Sequence, residues 1–456
     1  MMKTILTNIC LAATVCAVHG VSAATIARVL SRQQWPWSAK VHVDYRLLNI
    51  AGENIEVTVA VTNGMREIVL PSRALTGPRM GRLASGDYRL TIDAAKIDFA
   101  GADRLDDFKV ALSVKSAPSD ADLVLYRIYD LSARTRKDVT KAELLNGDYG
   151  DVETSYDFAK GGTFSPAEVV VWTGVTNNPA YKTNCLVMRY VPAGSFEMLP
   201  NTTNGLEVTI SKPYYIGVFE MTFAQCQLVQ PNRAKMYFSN ETCRATRPMD
   251  GCTFDHIRGN SGRNWPADGT VSGTSTYIYG IRRITGENTF DLPTEARWEY
   301  AARAGTTTWW NNGGDERTTG GANSVLPMLG RTKYSGGYIG GSARPDYDVD
   351  AGNGTASVGS YLPNAWGIYD CHGNVAEWCL DRWTKLSNLA GGVDPKGNEA
   401  ADSKKRTIRG NYWGKGPASS HMDYRTMLDA DMDMIAGEDD KGGLGFRLVC
   451  EAEDVE

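Results

Sequence analysis

One stretch near the C-terminus constrains the chain more than any other. Asn364 to Trp383 reads NAWGIYDCHGNVAEWCLDRW and packs four aromatic residues, two glycines and three carboxylates (Asp370, Glu377 and Asp381) into twenty positions. It keeps neither a helical nor a strand period, so it reads as a cross-linked loop. Gly367 and Gly373 permit backbone angles that other residues avoid. Asp370, Glu377 and the carbonyls between them are suited to converge on a hard cation such as calcium, which prefers oxygen ligands. The competing reading makes the aromatics core and the carboxylates surface charges.

Four further segments accompany it in a fixed order: Tyr190 to Met198 (YVPAGSFEM), Tyr214 to Thr222 (YYIGVFEMT), Asp291 to Gly305 (DLPTEARWEYAARAG), and Arg409-Gly410 followed by Gly445-Phe446-Arg447-Leu448. Together these resemble the sulfatase-modifying-factor family, the formylglycine-generating enzymes and their relatives, over roughly Leu186 to Cys450. The resemblance implies a loop-rich fold related to C-type lectins. It also implies two calcium sites. The first would use the side chains of Asn323 and Asp350 with the carbonyls of Ser324 and Gly352. The second would use the side chains of Asp370 and Glu377 with the carbonyls of Gly373 and Val375. Carboxylate, amide and carbonyl oxygens are calcium donors.

The chemistry the resemblance implies is oxidation of a substrate cysteine to formylglycine by copper held on two cysteines spaced C-x4-C, after an Arg-Gly-Gly-Ser-Trp run. Here the run is Arg409-Gly410-Asn411-Tyr412-Trp413, and the two thiol positions fall on Lys415 and Ser420. Cu(I) selects soft thiolates, so copper is not expected to bind. No cysteine lies between Cys379 and Cys450 to replace the pair. The iron-dependent sulfoxide synthases of the same superfamily add a helical domain bearing histidine ligands, whereas the N-terminal half here is strand-like and holds only His42 after the first 23 residues. What remains is a scaffold known for presenting variable surfaces. Asn411 to Met434 mixes aromatic, hydroxyl, acidic and amide groups, as adaptable binding surfaces do. Trp413, His421, Tyr424 and Arg425 are the candidate pocket for a peptide or carbohydrate, with Trp413 as core the alternative. The competing function is the formylglycine-generating oxidase itself, working with another metal set.

The N-terminus reads as a secretory signal over residues 1–23: Lys3, an apolar run from Ile9 to Val18, and Val21-Ser22-Ala23 as the cleavage site. The apolar run is too short to span a bilayer. A secreted or periplasmic protein is expected, with no membrane span. Seven cysteines remain after that segment, an odd number, and Cys243 and Cys252 are near enough in sequence to close a small loop. A net charge of −5, with Lys404-Lys405-Arg406 as the longest basic run, excludes a nucleic-acid partner.

Between the signal and the family segment, Lys40 to Leu47, Ile55 to Val61, Tyr88 to Ile92 and Phe108 to Val114 alternate polar and apolar residues. Turn formers separate them at Ala51-Gly52-Glu53-Asn54 and Thr62-Asn63-Gly64. These predict an immunoglobulin-like β-sandwich over residues 24–133, then a glycine-rich linker over 134–184 able to lend a strand to either neighbour, then the family domain over 185–452. The fold class expected is α+β. Thr222 caps a predicted helix over Phe223 to Val229, and Thr294 caps another that ends at Gly305.

Overall fold

The computed structural model describes residues 24–34, 38–71, 74–97, 108–117, 120–154, 169–203, 205–232, 243–259, 273–314, 326–333, 354–397, 404–433 and 443–452. They form two compact units. The first comprises residues 1–125, 139–154 and 170–175, and the second takes 126–138, 155–169 and 176–456.

In the first unit, β1 (Thr25–Gln33), β2 (Lys40–Asn63), β3 (Arg66–Ile68), β4 (Leu75–Thr76), β5 (Met80–Asp93) and β6 (Phe108–Ser116) make one antiparallel sheet. Alternation along β2 buries Val41, Val43, Tyr45 and Leu47, then Ile55 and Val57 further on, in a core shared with Leu90, Ile92, Val110 and Leu112. Two features differ from the sequence reading. The expected turn at Ala51-Gly52-Glu53-Asn54 is absent, and the runs on either side of it join into one strand of 24 residues. Its register with β5 shifts between Leu47 and Ala51 and again between Ala51 and Asn54, with positive φ at Asn49 (59°) and Gly52 (88°). Turn-forming residues are here spent on bulges, which bend a strand without ending it. β1 to β6 are thus joined into one continuous hydrogen-bonded sheet through the bent β2, around a shared core.

The described residues of the expected linker, 134–154 and 169–184, carry regular elements. β7 (Val124–Asp130) and β8 (Thr135–Thr140) join the second unit's main sheet, in which the strands Val449–Glu451, Tyr214–Gly217, Cys185–Val191, β7 and β8 lie side by side in that order. α1 (Lys141–Leu145) opens with a complete Thr140–Glu143 capping box, and β9 (Val152–Glu153) pairs with β10 (Val171–Trp172) within the first unit. The main sheet continues through β11 (Cys185–Val191) and closes later in the chain. β12 (Gly194–Met198) and β13 (Leu206–Ile210) form a hairpin, and β14 (Tyr214–Gly217) lies beside β11.

α2 (Phe223–Val229) has the predicted limits, and Thr222 with Gln225 completes a capping box. α3 (Phe254–Ile257) and α4 (Tyr277–Thr285) precede α5 (Glu295–Arg303), which Thr294 caps through the Arg297 N–H and which ends in left-handed Ala304. After α6 (Leu326–Leu329), β15 (Ala376–Arg382), β16 (Gly392–Val393) and β17 (Lys405–Arg409) follow. α7 (Pro417–Ser420), β18 (Thr426–Asp429), β19 (Leu444–Gly445) and β20 (Val449–Glu451) complete the chain. β20 pairs with β14, so the last strand closes the sheet that β7 began. Among the described residues no helix is long and apolar enough to cross a membrane.

No disulfide occurs among the described cysteines. Cys243 is exposed while Cys252 is buried, so the small loop they might have closed is open.

Asn146 tests the first unit's packing. It is buried, accepts the N–H groups of Arg79 and Met80 on one oxygen, and donates to the Met80 carbonyl. Asn146→Ala leaves buried donors without acceptors and is expected to cost about 2–3 kcal/mol in urea unfolding of the first unit. A loss below ~0.5 kcal/mol would show that water takes over the asparagine's role.

Candidate functional site

The second unit is built around α5, all nine residues of which are buried. The Asn364 to Trp383 stretch grips this helix at three levels. Asn364 Nδ2 donates to the carbonyls of Ala301 and Ala302 at 2.8 and 2.9 Å, satisfying acceptors that a helix C-terminus leaves open. Trp298 Nε1 donates to Glu377 at 2.9 Å, and Asp381 accepts the Glu295 N–H at the helix N-terminus at 2.6 Å. Asp381, expected to be one of three loop carboxylates, is therefore a helix cap.

Burying α5 buries its charges, and each has a partner. Arg409 lies between Glu295 (3.0 Å) and Glu299 (2.8 Å), and Arg425 takes Glu295 from the other side with Nη2 at 2.7 Å. Arg303 joins Glu299 to Asp423. A second cluster surrounds Arg447, which binds both oxygens of Glu377 at 2.6 Å and donates to the Gly217 and Tyr369 carbonyls.

Next to Arg447 is a carboxylate that sequence reasoning passed over. Glu220, in the YYIGVFEMT segment, is fully buried and accepts from Asn374 Nδ2 at 2.6 Å and from the Val375 N–H at 3.0 Å. Burial, and then Asp370 and Glu377, push its carboxyl well above the ordinary range. Asn374 itself has left-handed φ (61°), donates its N–H to the Arg331 carbonyl, and accepts from the N–H groups of Ala356 and Trp413. The segment between the expected ligands Gly373 and Val375 is thus pinned from four sides. Gly373 (φ +94°) must be glycine, since a Cβ there would stand 2.0 Å from the Arg331 carbonyl oxygen.

Asp370 accepts the Gly359 N–H at 2.7 Å on one oxygen, and its other oxygen, Oδ1, is buried without a hydrogen-bond partner. Burial pushes this carboxyl up to about 6. Three mutually repelling carboxylates against one guanidinium, with one oxygen unsatisfied, fit a hard cation at Asp370. Among the described residues no group of three or more His, Cys, Asp or Glu side chains is arranged to hold a metal, so an ion there requires carbonyl donors as well. Asn323, Ser324, Asp350 and Gly352 lie outside the described residues.

The candidate pocket divides. Trp413 is buried and its backbone N–H donates to the Asn374 carbonyl, which places it in the core. Arg425 stacks on Trp383 at 4.7 Å and is held by Glu295, so its charge is committed within the fold. His421 and Tyr424 do come together, with ring centroids 6.1 Å apart, and half-buried Trp309 packs edge-on against His421 at 4.5 Å. Trp309 was missed, although a Trp309-Trp310 pair before Gly313-Gly314 was visible in the sequence.

At the two thiol positions, Lys415 is exposed with its ammonium 5.6 Å from the Tyr412 ring, and Tyr412 is buried. Ser420 is buried, donates its hydroxyl to the Gly416 carbonyl, and through its own carbonyl accepts from His372 Nδ1 at 2.7 Å. His372 Nε2 accepts the Asn311 N–H, and burial pushes its pKa down to about 4. A neutral imidazole thus clamps the 308–314 loop to the 411–421 segment.

A domain model described as "Sulfatase-modifying factor enzyme 1-like domain" matches residues 175–452, more than half the chain. The formylglycine-generating enzyme of Thermomonospora curvata is 34% identical over 119 residues, 25% of this chain and 35% of that protein. The chain therefore spans about a third of that relative's length. A protein named "Chaperone protein LppX" from Paenibacillus barcinonensis is 24% identical over 256 residues, 53% of this chain and 83% of that one. Among solved structures, Treponema denticola variable protein 1 aligns with a TM-score of 0.42 at 20% identity, covering 59% of this chain and 96% of the other.

Asp381 supplies a pH test. Burial, and then Glu295, raise its carboxyl to about 7, far above its unfolded value. The folded state therefore binds the extra proton, and this contribution to stability, full below about pH 4, is lost as pH rises to 7. His372 has the opposite sign, losing stability as pH falls from 6.5 to 4. Asp381→Asn, which keeps an acceptor for the Glu295 N–H without the charge, is expected to gain on the parent as pH rises from 4 to 7 in guanidinium unfolding. Parallel profiles for the two proteins would exclude Asp381 as a titrating cap.

Proposed function

Because this chain belongs to the family of the sulfatase-modifying factor enzyme 1-like domain, we propose that its second unit is a calcium-supported module that binds a peptide or carbohydrate, and that it is not a copper oxidase. The observation carrying this reading is the pair of thiol positions. Lys415 and Ser420 offer an ammonium and a hydroxyl, and the hydroxyl is turned onto the Gly416 carbonyl. Neither is a ligand that Cu(I) selects, and the buried Tyr412 ring beside Lys415 takes up volume at the same place. Half-buried Trp309 and Tyr424 pack here against the buried His421 ring, and both are aromatic groups of the kind on which sugars and apolar peptide side chains stack. A relative named as a chaperone protein supports a polypeptide ligand over a glycan.

Calcium, when bound, would supply a fixed positive centre for oxygen donors. Asp370 would hold it through its unpartnered Oδ1, with Glu377 and the carbonyls of Gly373 and Val375 completing the set, while Asn323, Asp350, Ser324 and Gly352 would hold a second ion. Export of the chain through its N-terminal segment belongs to the same reading. The buried thiols are compatible with an oxidising compartment, because burial pushes Cys185 up to about 11 and Cys371 up to about 12, leaving them protonated and unreactive.

Chelation is expected to lower the melting temperature of the second unit. A ligand present at a hundred times its dissociation constant stabilises by about 2.7 kcal/mol, or about 4 °C for a unit of this size. Asp370→Ala should show a smaller calcium-dependent shift than the parent, losing the share that this site supplies and keeping that of the second ion. An unchanged parent melting curve after chelation, with no calcium co-purifying, would end the calcium reading.

The oxidase question is decided by Cu(I) titration in competition with a chelator, alongside oxygen-dependent turnover of a cysteine peptide. Neither a stoichiometric site nor turnover is expected. A one-to-one Cu(I) complex that survives Cys243→Ser, together with formylglycine in the peptide, would establish the enzyme and discard the binding module.

A further inference from the structure

The outer face of the first unit's sheet carries a charge arrangement that folding does not require. Strand register sets Arg28 opposite Arg46 and Arg46 opposite Asp87, while the neighbouring row reads Leu30, Asp44, Arg89. Both carboxylates are taken. Arg46 binds Asp87 through two bonds of 2.7 and 2.6 Å, and Arg89 binds Asp44 through two of 2.6 and 3.1 Å, with Arg32 adding a third contact to Asp44 at 3.3 Å. Arg28 is left over. It is exposed and makes no hydrogen bond or ion pair among the described residues, and its charge reaches Asp87 only at long range.

Like charges directly opposite on an antiparallel pair are destabilising, and a glutamate at position 28 would complete the row instead. A residue that works against its own sheet points to a use outside it. Its surroundings suggest which use. β1 pairs with β2 alone among the described strands, so its far edge keeps backbone donors and acceptors available for another strand. Leu30, between Arg28 and Arg32 on the same face, is 40% exposed. A groove of ≈ 390 Å³ crosses this face, lined by Arg28 and Leu30 of β1, Asp44 of β2, and Asp87, Tyr88 and Arg89 of β5.

We propose that β1 is a docking edge for an extended acidic polypeptide segment of a partner protein, with a carboxylate two residues either side of an apolar residue. Side chains on one face of a strand recur every second residue, ~6.7 Å apart, so a strand added along β1 presents positions i, i+2 and i+4 to Arg28, Leu30 and Arg32. Four arginines against two aspartates give this face a net charge of +2, which an acidic strand neutralises. The exposed leucine between two guanidiniums and the open backbone edge fit a polypeptide better than a sulfated glycan, which would use the charges alone.

The test is fluorescence anisotropy on the full mature chain with a labelled peptide carrying glutamates two positions either side of a leucine. Saturable binding is expected, at least tenfold weaker for Arg28→Glu and intermediate for Arg28→Gln. Exchanging the facing glutamate of the peptide for lysine should restore binding to Arg28→Glu. Unfolding does not confound this comparison, because Arg28→Glu removes a like-charge pair and should melt no lower than the parent. A peptide N-methylated at alternate residues should fail to bind, because the edge then loses its backbone partners. The proposal is overturned if the N-methylated peptide binds equally well, if Arg28→Glu leaves the affinity unchanged, or if a sulfated oligosaccharide of equal charge displaces the peptide and binds more tightly.

Discussion

The second unit depends on one unusual object, a helix with four buried charged side chains. Glu295, Arg297, Glu299 and Arg303 of α5 are all withdrawn from water. A buried charge costs several kcal/mol unless it is paired, so each of these side chains dictates where some other segment must lie. Glu295 and Glu299 require Arg409 from β17, Glu295 also requires Arg425 ahead of β18, Arg303 requires Asp423, and Arg297 requires Glu451 from β20. Three stretches far apart in sequence from the helix, β17, the segment ahead of β18 and β20, are thereby brought to it. Apolar packing of equal volume would hold them as firmly, but it would tolerate sliding where a bidentate guanidinium does not. In a loop-rich domain, ion pairing selects one arrangement from many that bury similar area.

The same economy motivates the cation proposed beside Arg447. Charge balance is local, and around α5 arginines and carboxylates are matched. Around Arg447 they are not, since Glu220, Asp370 and Glu377 face one guanidinium whose donors are already used by Glu377 and the Gly217 and Tyr369 carbonyls. Two routes relieve the excess: proton uptake, seen in the raised carboxyls of Glu220 and Asp370, or a bound cation, for which Asp370 Oδ1 is left open. These routes compete for the same oxygens, so the calcium proposed here would be displaced by acid. Glu220 does its work on the backbone. By fixing Asn374 and Val375 it fixes the direction of the neighbouring carbonyls, and through Asn374 it is joined to Trp413 and the face beyond.

What the sequence made legible was local chemistry. Thr222 and Thr294 announced their helices because an N-cap acts over three residues, and α2 falls on its predicted limits for that reason. The replaced thiols were equally plain, being a matter of residue identity. Signals whose meaning is settled elsewhere were misread or missed. Ala51-Gly52-Glu53-Asn54 has turn composition, yet β5 alongside keeps the strand going and converts the turn into bulges. Glu220 carries no local mark of its role, since its partners are 154 and 155 positions away. Trp413 and Arg425 share the composition of a binding surface, and only the fold shows that one is core and the other belongs to Glu295.

The two positions where the family resemblance places thiols hold residues of a different chemistry, Lys415 and Ser420. A cuprous site needs two sulfurs held at a fixed separation in a pocket without competing charge. Here Ser420 is tied by its hydroxyl to Gly416 and by its carbonyl to His372, so its backbone serves as a clamp between two loops. Lys415 is exposed, and its ammonium sits over buried Tyr412. Restoring cysteines at both positions would leave the tyrosine in place and the His372 clamp still setting the backbone, so two substitutions do not rebuild the metal site. The hydrogen bonds of Ser420 and His372 hold the 411–421 segment against the 308–314 loop, and half-buried Trp309 and Tyr424 pack against the buried His421 ring at its end.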